Sequence, residues 1–358
     1  MRKGINILII TAIAVLLCWC KKDSDPDGIK IPDNNFVKAL IEQGVDKNDD
    51  GVIQPEEAEM VTSLNIPGKS IADLTGIEAF INLDTLYCYF NLLTSMDLTS
   101  NEKLVYLNCS YNKLIGLYIT NNPALKWLTC SHNMLAYLDV TTNTNLFYFD
   151  CGNNKLDFLD LEYNTALKYF YCTSNHFQEL NVTSNCELKN LVCGLNSLTC
   201  LDVSNCNSIE WLACWSNKLS VLDVTGLAIL SSLQCDNNLL TDLDISNNEE
   251  LINLKCFDNM LTELDVSANT SMTFLDCSSN QLSSLDLSNN TAIIHLSCDS
   301  NDLSELDISQ NSNLWQINLR DMPSLGRVCV WTLPFPPAGV TVDVTGSQNG
   351  YFTVECGK

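Results

Sequence analysis

Residues 46–57, DKNDDGVIQPEE, gather oxygen-bearing groups at alternating places in one short loop. Asp46, Asn48 and Asp50 supply side-chain oxygens, Val52 a carbonyl, Gln54 a hold on a water, and Glu57 two carboxylate oxygens. Gly51 permits the sharp turn between them. Hard oxygens in this order around a turn are calcium chemistry, and five acidic residues in twelve provide the charge. A solvated acidic turn without metal is the plainer alternative. Calcium is the expectation here, with Ile53 packed inward and Pro55-Glu56-Glu57 opening a helix. The preceding NNFVKALIEQ reads as an entering helix with Phe36, Leu40 and Ile41 on one face.

Thiols are the second candidate chemistry. Eleven of 18 cysteines recur every 21 residues: Cys88, Cys109, Cys130, Cys151, Cys172, Cys193, Cys214, Cys235, Cys256, Cys277 and Cys298. A zinc site is disfavoured, since no C-x-x-C occurs and the histidines are only His132, His176 and His295. In-register parallel side chains point the same way, whereas a disulfide needs converging ones. The expectation is therefore core packing, where burial dulls a thiol. Cys186 and Cys206 fall in turns of adjacent repeats, where a bridge is open, and Cys200 is left as a lone thiol.

These cysteines belong to a repeat that dominates the chain. Eleven uninterrupted 21-residue units start at positions 83, 104 and so on to 293, and a degraded twelfth starts at Leu314. The consensus is L-x-x-L-x-C-x-x-N-x-L-x-x-L-D-V-S-x-N-x-x. Each half alternates apolar and polar residues over a short window, the strand period, and neither half holds a helical run. The pattern predicts two short parallel strands per coil, stacked into two ladders around a narrow core. Asparagines at the ninth and nineteenth places should sit in turns and bond backbone groups left unpaired there.

With these motifs the chain resembles bacterial leucine-rich-repeat proteins of the nested 21-residue type called IRREKO repeats, over residues 64–319. Leu64–Leu83 is similar to the opening repeat of internalin-like proteins, and the acidic loop to that of EF-hands. The resemblance implies a β-rich leucine-rich-repeat solenoid, found in surface lipoproteins, with a binding or adhesion role and no particular ligand. Residues 35–63 would form a small helical EF-hand-like cap and 320–358 a C-terminal β cap. That segment holds strand-like CVW, VTVDV and YFTVEC between Pro- and Gly-rich turns, and Cys329 and Cys356 are expected to pair as a disulfide.

Arg2, Lys3 and the apolar run Ile7–Leu17 form a leader too short to span a bilayer comfortably. Residues 1–19 are read as a signal peptide resembling that of bacterial lipoproteins, with lipidation at Cys20 (Cys18 being the alternative) and a linker over 20–34. The expected place is the outer membrane or cell surface, held by the lipid alone; simple secretion is the other possibility. Asp and Glu outnumber Lys and Arg by 43 to 19, a formal charge of −24, so nucleic acid is a poor partner.

Two further columns carry possible function. Asp recurs at the fifteenth place in nine of eleven copies, either bonding nearby Ser, Thr and turn amides or collecting cations. Aromatics cluster on the outward face of the cysteine strand in the N-terminal half, as Tyr87, Tyr89, Tyr106, Tyr111, Trp127, Tyr148, Tyr169, Tyr171, Trp211 and Trp215. They stabilise their own sheet by cross-strand stacking or form a contact surface with a polar handle. No nucleophile–His–acid grouping and no phosphate loop stands out, so an enzyme is not expected. The sequence reads as a recognition protein for a protein or glycan, with a ligand-free adhesive spacer as the alternative.

Overall fold

The structure, a computed structural model, describes residues 28–356; the leader and Cys20 lie outside them. Fourteen parallel strands form one front sheet in chain order, from Ser63–Asn65 to Thr341–Asp343. Each strand is three residues long and occupies places three to five of its coil. The register is in phase, with Trp127 opposite Tyr148 and Tyr148 opposite Tyr169. The middle residue of each strand points into the core and its neighbours point out, which makes the apolar/polar alternation a strand. The strand is short because place eight turns the chain. From Phe90 to Asp321, that residue takes a left-handed backbone with φ of 50–56° in twelve coils.

Left-handed backbone costs a side-chain-bearing residue about 1–2 kcal/mol, and the ninth-place asparagine offsets it. Asn154 shows the pattern: Nδ2 donates to the carbonyls of Cys130, Cys151 and Gly152, and Oδ1 accepts from Leu135 N–H at 3.0 Å. The nineteenth-place asparagines are fully buried and clamp the other turn; Asn164 donates to Val140 O and Asn143 O. Cys206 and Leu227 take that place in two adjacent coils, and Cys206 Sγ still reaches Val182 O at 3.4 Å.

The second ladder departs from the sequence expectation. Among the described residues, back strands form only at Ser95–Asp97 with Gly116–Tyr118, and at Glu305–Asp307 with Arg327–Cys329 and Tyr351–Thr353. Isolated bridges join Asn181 to Asp202 and Asp286 to Asp307. Elsewhere the fifteenth-place aspartates would lie directly opposite one another, and like charges across a strand pair are destabilising. Each paired back strand falls where that column is broken, although the breaks at Tyr118–Asp139 and Asp160–Asn181 carry no pairing. Asp97 faces Tyr118, Asp307 faces Cys329, and Glu305 faces Arg327. Asp286–Asp307 is the exception, and it remains a single bridge.

The C-terminal segment adds strands to the ends of both sheets. Thr341–Asp343 extends the front sheet, while Arg327–Cys329 and Tyr351–Thr353 extend the back one. Cys329 and Cys356 are disulfide-bonded, with Cα atoms 5.7 Å apart. The excursion between these strands folds Phe335 against Trp331 and Phe352.

At the other end α1 (Asn34–Glu42) and α2 (Pro55–Glu59) cover the first coil. Helix α1 buries Phe36, Ala39 and Leu40, whereas Ile41 is exposed. The expected apolar face is thus corrected by one residue: 39 and 40 follow 36 around the helix more closely than 41 does. Residues 28–33, expected to be linker, are part of the cap. Ile29 N–H bonds Ile53 O at 2.8 Å, and Asp33 accepts from Asn35 and Phe36 in α1 and from Ala72 and Asp73 beyond it. Their I-K-I alternation is itself a short strand-like signal.

Candidate binding face and metal loop

In the acidic loop Asp46 and Glu57 are 7% and 6% exposed, so two carboxylates lie buried and, among the described residues, no cationic side chain is bonded to either. Asp46 accepts from the backbone N–H of Asp50 and Gly51; Asn48 and Gln54 bond Asp50. Glu57 accepts from Lys47 N–H at 2.6 Å and from Gln54 N–H at 3.0 Å, the latter closing a reciprocal cap on α2. The donor set and its order fit a hard cation. The loop is not drawn shut around one: among the described residues, three His, Cys, Asp or Glu ligand atoms lie within 4.8 Å of one another only at Asp307, Cys329 and Cys356. Two of those sulfurs are joined to each other.

All eleven repeat cysteines are fully buried behind the front sheet. Burial pushes the thiols of Cys109 and Cys193 up to about 12 and raises the other nine as well. Thiolate is the reactive form, so this ladder is inert packing. Cys186 and Cys206 are unbridged; Cys186 and Cys200 are exposed and Cys206 is buried. Iodoacetamide on the native protein is expected to label Cys186 and Cys200 among the described thiols, and the ladder only after unfolding. Ladder labelling in native buffer, read by mass spectrometry, would contradict the packing.

The aspartate column bonds locally. Asp202, Asp223, Asp244, Asp265 and Asp286 each accept the backbone N–H two residues on, and hydroxyl and backbone bonds from that Ser or Thr together lower their pKa. This is the plainer of the two roles open to the column.

The aromatic residues divide into groups. Trp127 and Tyr148 stack with centroids 3.8 Å apart and planes 3° apart, and Tyr169 and Tyr171 lean on Tyr148 at 6.3 and 5.4 Å. Tyr148 is half-buried there, and burial beside Asp150 and Tyr171 raises its hydroxyl to about 12. A second stack runs along the turns, where Phe90, Tyr111 and His132 lie 4.4 and 4.1 Å apart, with Tyr89 at the Phe90 edge. Phe90 and His132 were absent from the sequence expectation, although both occupy place eight beside Tyr111. Tyr106 and half-buried Tyr87 stand on neighbouring strands and, among the described residues, pair with no other ring. Trp211 and Trp215 also lack aromatic partners; Trp215 instead lies over Gly194, where an added Cβ would come within 2.4 Å of the indole.

The back face also carries aromatics. Tyr137 and Phe158 are 68% and 66% exposed, against 43% for Tyr106 and 37% for Trp127. They stand on segments without ladder bonds, whereas the front rings stand on paired strands. The front is therefore the more rigidly presented surface.

A stack of short in-register coils with a ninth-place asparagine and a buried front sheet defines a leucine-rich-repeat β-solenoid. No protein-family model matches the chain. The solved functional domain of InlJ from Listeria monocytogenes, described as including a cysteine ladder, superposes with a TM-score of 0.64 and 31% identity, over 84% of this chain and 75% of that one. The internalin inlF of L. monocytogenes strain 4b F2365 gives a TM-score of 0.76 at 22% identity, covering 87% and 95%, a likeness of fold. Seventy residues, 20% of this chain, are 37% identical to Internalin J of the same strain and span 8% of its length. The chain belongs to the internalin-like leucine-rich-repeat proteins. Among the described residues no helix is long and apolar enough to cross a membrane.

Proposed function

We propose that this chain is a non-catalytic recognition protein of the cell surface, lipid-anchored through Cys20, which binds a protein partner across the outward front sheet around Tyr87–Trp215. The observation that carries the reading is the rigid aromatic patch of Trp127, Tyr148, Tyr169 and Tyr171 on paired strands. Between protein and glycan, ring geometry favours protein. A sugar stacks on a free ring face, whereas Trp127 and Tyr148 spend facing surfaces on each other and offer edges and hydroxyls. Tyr and Trp edges of this kind anchor protein interfaces. The alternative of an adhesive spacer has the same stacking in its favour, since the rings stabilise their own sheet.

Replacing Trp127, Tyr148 and Tyr169 together by serine separates the two. The recognition reading expects capture of a surface-protein partner to fall at least about tenfold, with the fold retained. Unchanged capture would leave the spacer.

Calcium belongs to the same proposal as a stiffener of the cap, with Asp46, Asn48, Asp50, Val52, Gln54 and Glu57 as ligands. Glu57 would exchange its two backbone N–H partners for the ion. Weak extracellular sites of about 10⁻⁴–10⁻³ M suffice for that role. Saturating calcium should raise the melting temperature of the cap, and Asp46→Ala with Glu57→Ala should remove the rise. An equal rise in that variant would assign the ion elsewhere.

A further inference from the structure

The eleven repeats hold one cysteine at the nineteenth place and one at the twentieth, and these fall in adjacent coils as Cys206 and Cys186. Cys206 stands where most coils carry the clamp asparagine. Its Sγ contacts Val182 O at 3.4 Å and Asn185 O at 3.7 Å, the same pair of carbonyls that an asparagine reaches from that place. A thiol donates one proton where the amide donates two, and Leu227 in the next coil donates none. The clamp column is therefore weakest between Asn185 and Asn248.

Cys186 directly follows Asn185. Its Sγ lies 3.9 Å from Thr183 O, the next carbonyl along the chain from the one that Cys206 contacts. Both sulfurs thus rest against one turn, residues 182–186, with Cys206 fully buried and Cys186 exposed. The ladder cysteines leave the same place of every coil and point the same way, which opposes bridging. Cys186 and Cys206 leave different places, so the register does not hold them parallel. Burial pushes the Cys206 thiol up to about 11, and the neighbouring Cys186 adds to the rise. Cys200, the other exposed thiol, stands at place thirteen on the back.

We propose that Cys186 and Cys206 are an oxidative modification site, closing to a disulfide that ties two coils together where the asparagine clamp gives out. The chemistry is thiol–disulfide exchange, with an external disulfide as oxidant. The Cys186 thiolate attacks one of its sulfurs, forming a mixed disulfide and releasing one thiolate. Cys206, as thiolate, then attacks the Cys186 sulfur and displaces the second. Two protein thiols become one disulfide, and the external disulfide takes up the two electrons and two protons and leaves as two thiols. Access sets the order. Buried Cys206 is a poor first nucleophile but sits beside Cys186 for the second step. Closure costs little in hydrogen bonds, since Val182 O and Asn185 O keep the backbone N–H groups of Asn185 and Leu188 at 2.9 and 3.0 Å. The site does not depend on which face meets a partner.

Oxidised glutathione added to the native protein is the probe, read by non-reducing peptide mapping in a mass spectrometer and by melting temperature. The parent should give a Cys186–Cys206 crosslinked peptide, lose iodoacetamide labelling at Cys186, and melt about 2–6 °C higher. Cys206→Ser should stop at a stable glutathione adduct on Cys186, with no crosslink and no rise. Cys186→Ser, a change at an exposed position, should leave Cys206 unmodified and the melting temperature unmoved by the oxidant. A parent that keeps glutathione on Cys186 beside a free Cys206 would overturn the proposal. So would a bridge to Cys200, a bridge formed only after unfolding, or a Cys186–Cys206 bridge without a rise in melting temperature.

Discussion

Asn154→Ala is expected to destabilise the solenoid by about 3–5 kcal/mol, through three donated bonds and one orphaned buried N–H. The carbonyls of Cys130, Cys151 and Gly152 each keep another donor, in Asn133, Asn175 and His132. Leu135 N–H keeps no acceptor, because its bond runs to Asn154 Oδ1 alone. The nineteenth place provides the contrast. Asn164 also loses two donated bonds on truncation, but its Oδ1 is already buried without a partner. Removing it also removes an existing cost, so Asn164→Ala should lose only about 1–2 kcal/mol. The chain itself tolerates Cys206 and Leu227 at that place. Urea unfolding of both variants checks the order, and a larger loss at Asn164 would contradict the assignment of the two clamps.

The second large effect is expected in the core. Phe149 and Phe170 are fully buried and stack at 5.5 Å in successive coils whose other members carry leucine or isoleucine at that place. Phe170→Ala should cost about 3–5 kcal/mol, since two narrow ladders cannot collapse around the void. Phe170→Leu should cost less than about 1.5 kcal/mol, because leucine already fills that place in the next coil at Leu191. Each coil contacts only its neighbours, so the loss should appear as a weakened central segment as well as a lower midpoint. Matching penalties from alanine and leucine would mean that the ring pair has a role beyond filling volume.

The front half of each coil was legible in the residues. The 21-residue period fixed the coil, the inward leucine and cysteine fixed the strand, and the ninth-place asparagine fixed the turn. Parallel-coil register follows directly from period, because identical units stack in phase. The back half was less legible, for an electrostatic reason: its apolar alternation promises a strand, and its stacked aspartates oppose one. Pairing at Asp97–Tyr118 and Asp307–Cys329, set against none at the equally interrupted Tyr118–Asp139 and Asp160–Asn181, shows that the contest depends on neighbours across coils and not on any one repeat.

The candidate surfaces were legible only as columns. Types and places identified the outward aromatics, yet which rings stack depends on side-chain lean, so Trp127 and Tyr148 joined while Trp211 and Trp215 stood apart. Phe90 and His132 occupy a place that the repeat marks as an ordinary turn, and its left-handed backbone carries them beside Tyr111. The acidic loop had its donors and order written out, while the closure of Glu57 onto an ion depends on an exchange of bonds that spacing does not encode.

The front-sheet claim is tested most directly by placing one photo-crosslinking amino acid at a time on each side of the solenoid and exposing the protein to cell surfaces. Tyr106 and Tyr148 report the front, and Tyr137 and Phe158 the more exposed back. The account predicts a discrete protein adduct from the front positions, absent from the back ones and lost when Trp127 and Tyr169 are replaced by serine. Adducts confined to Tyr137 and Phe158, or equal from both faces, would contradict it.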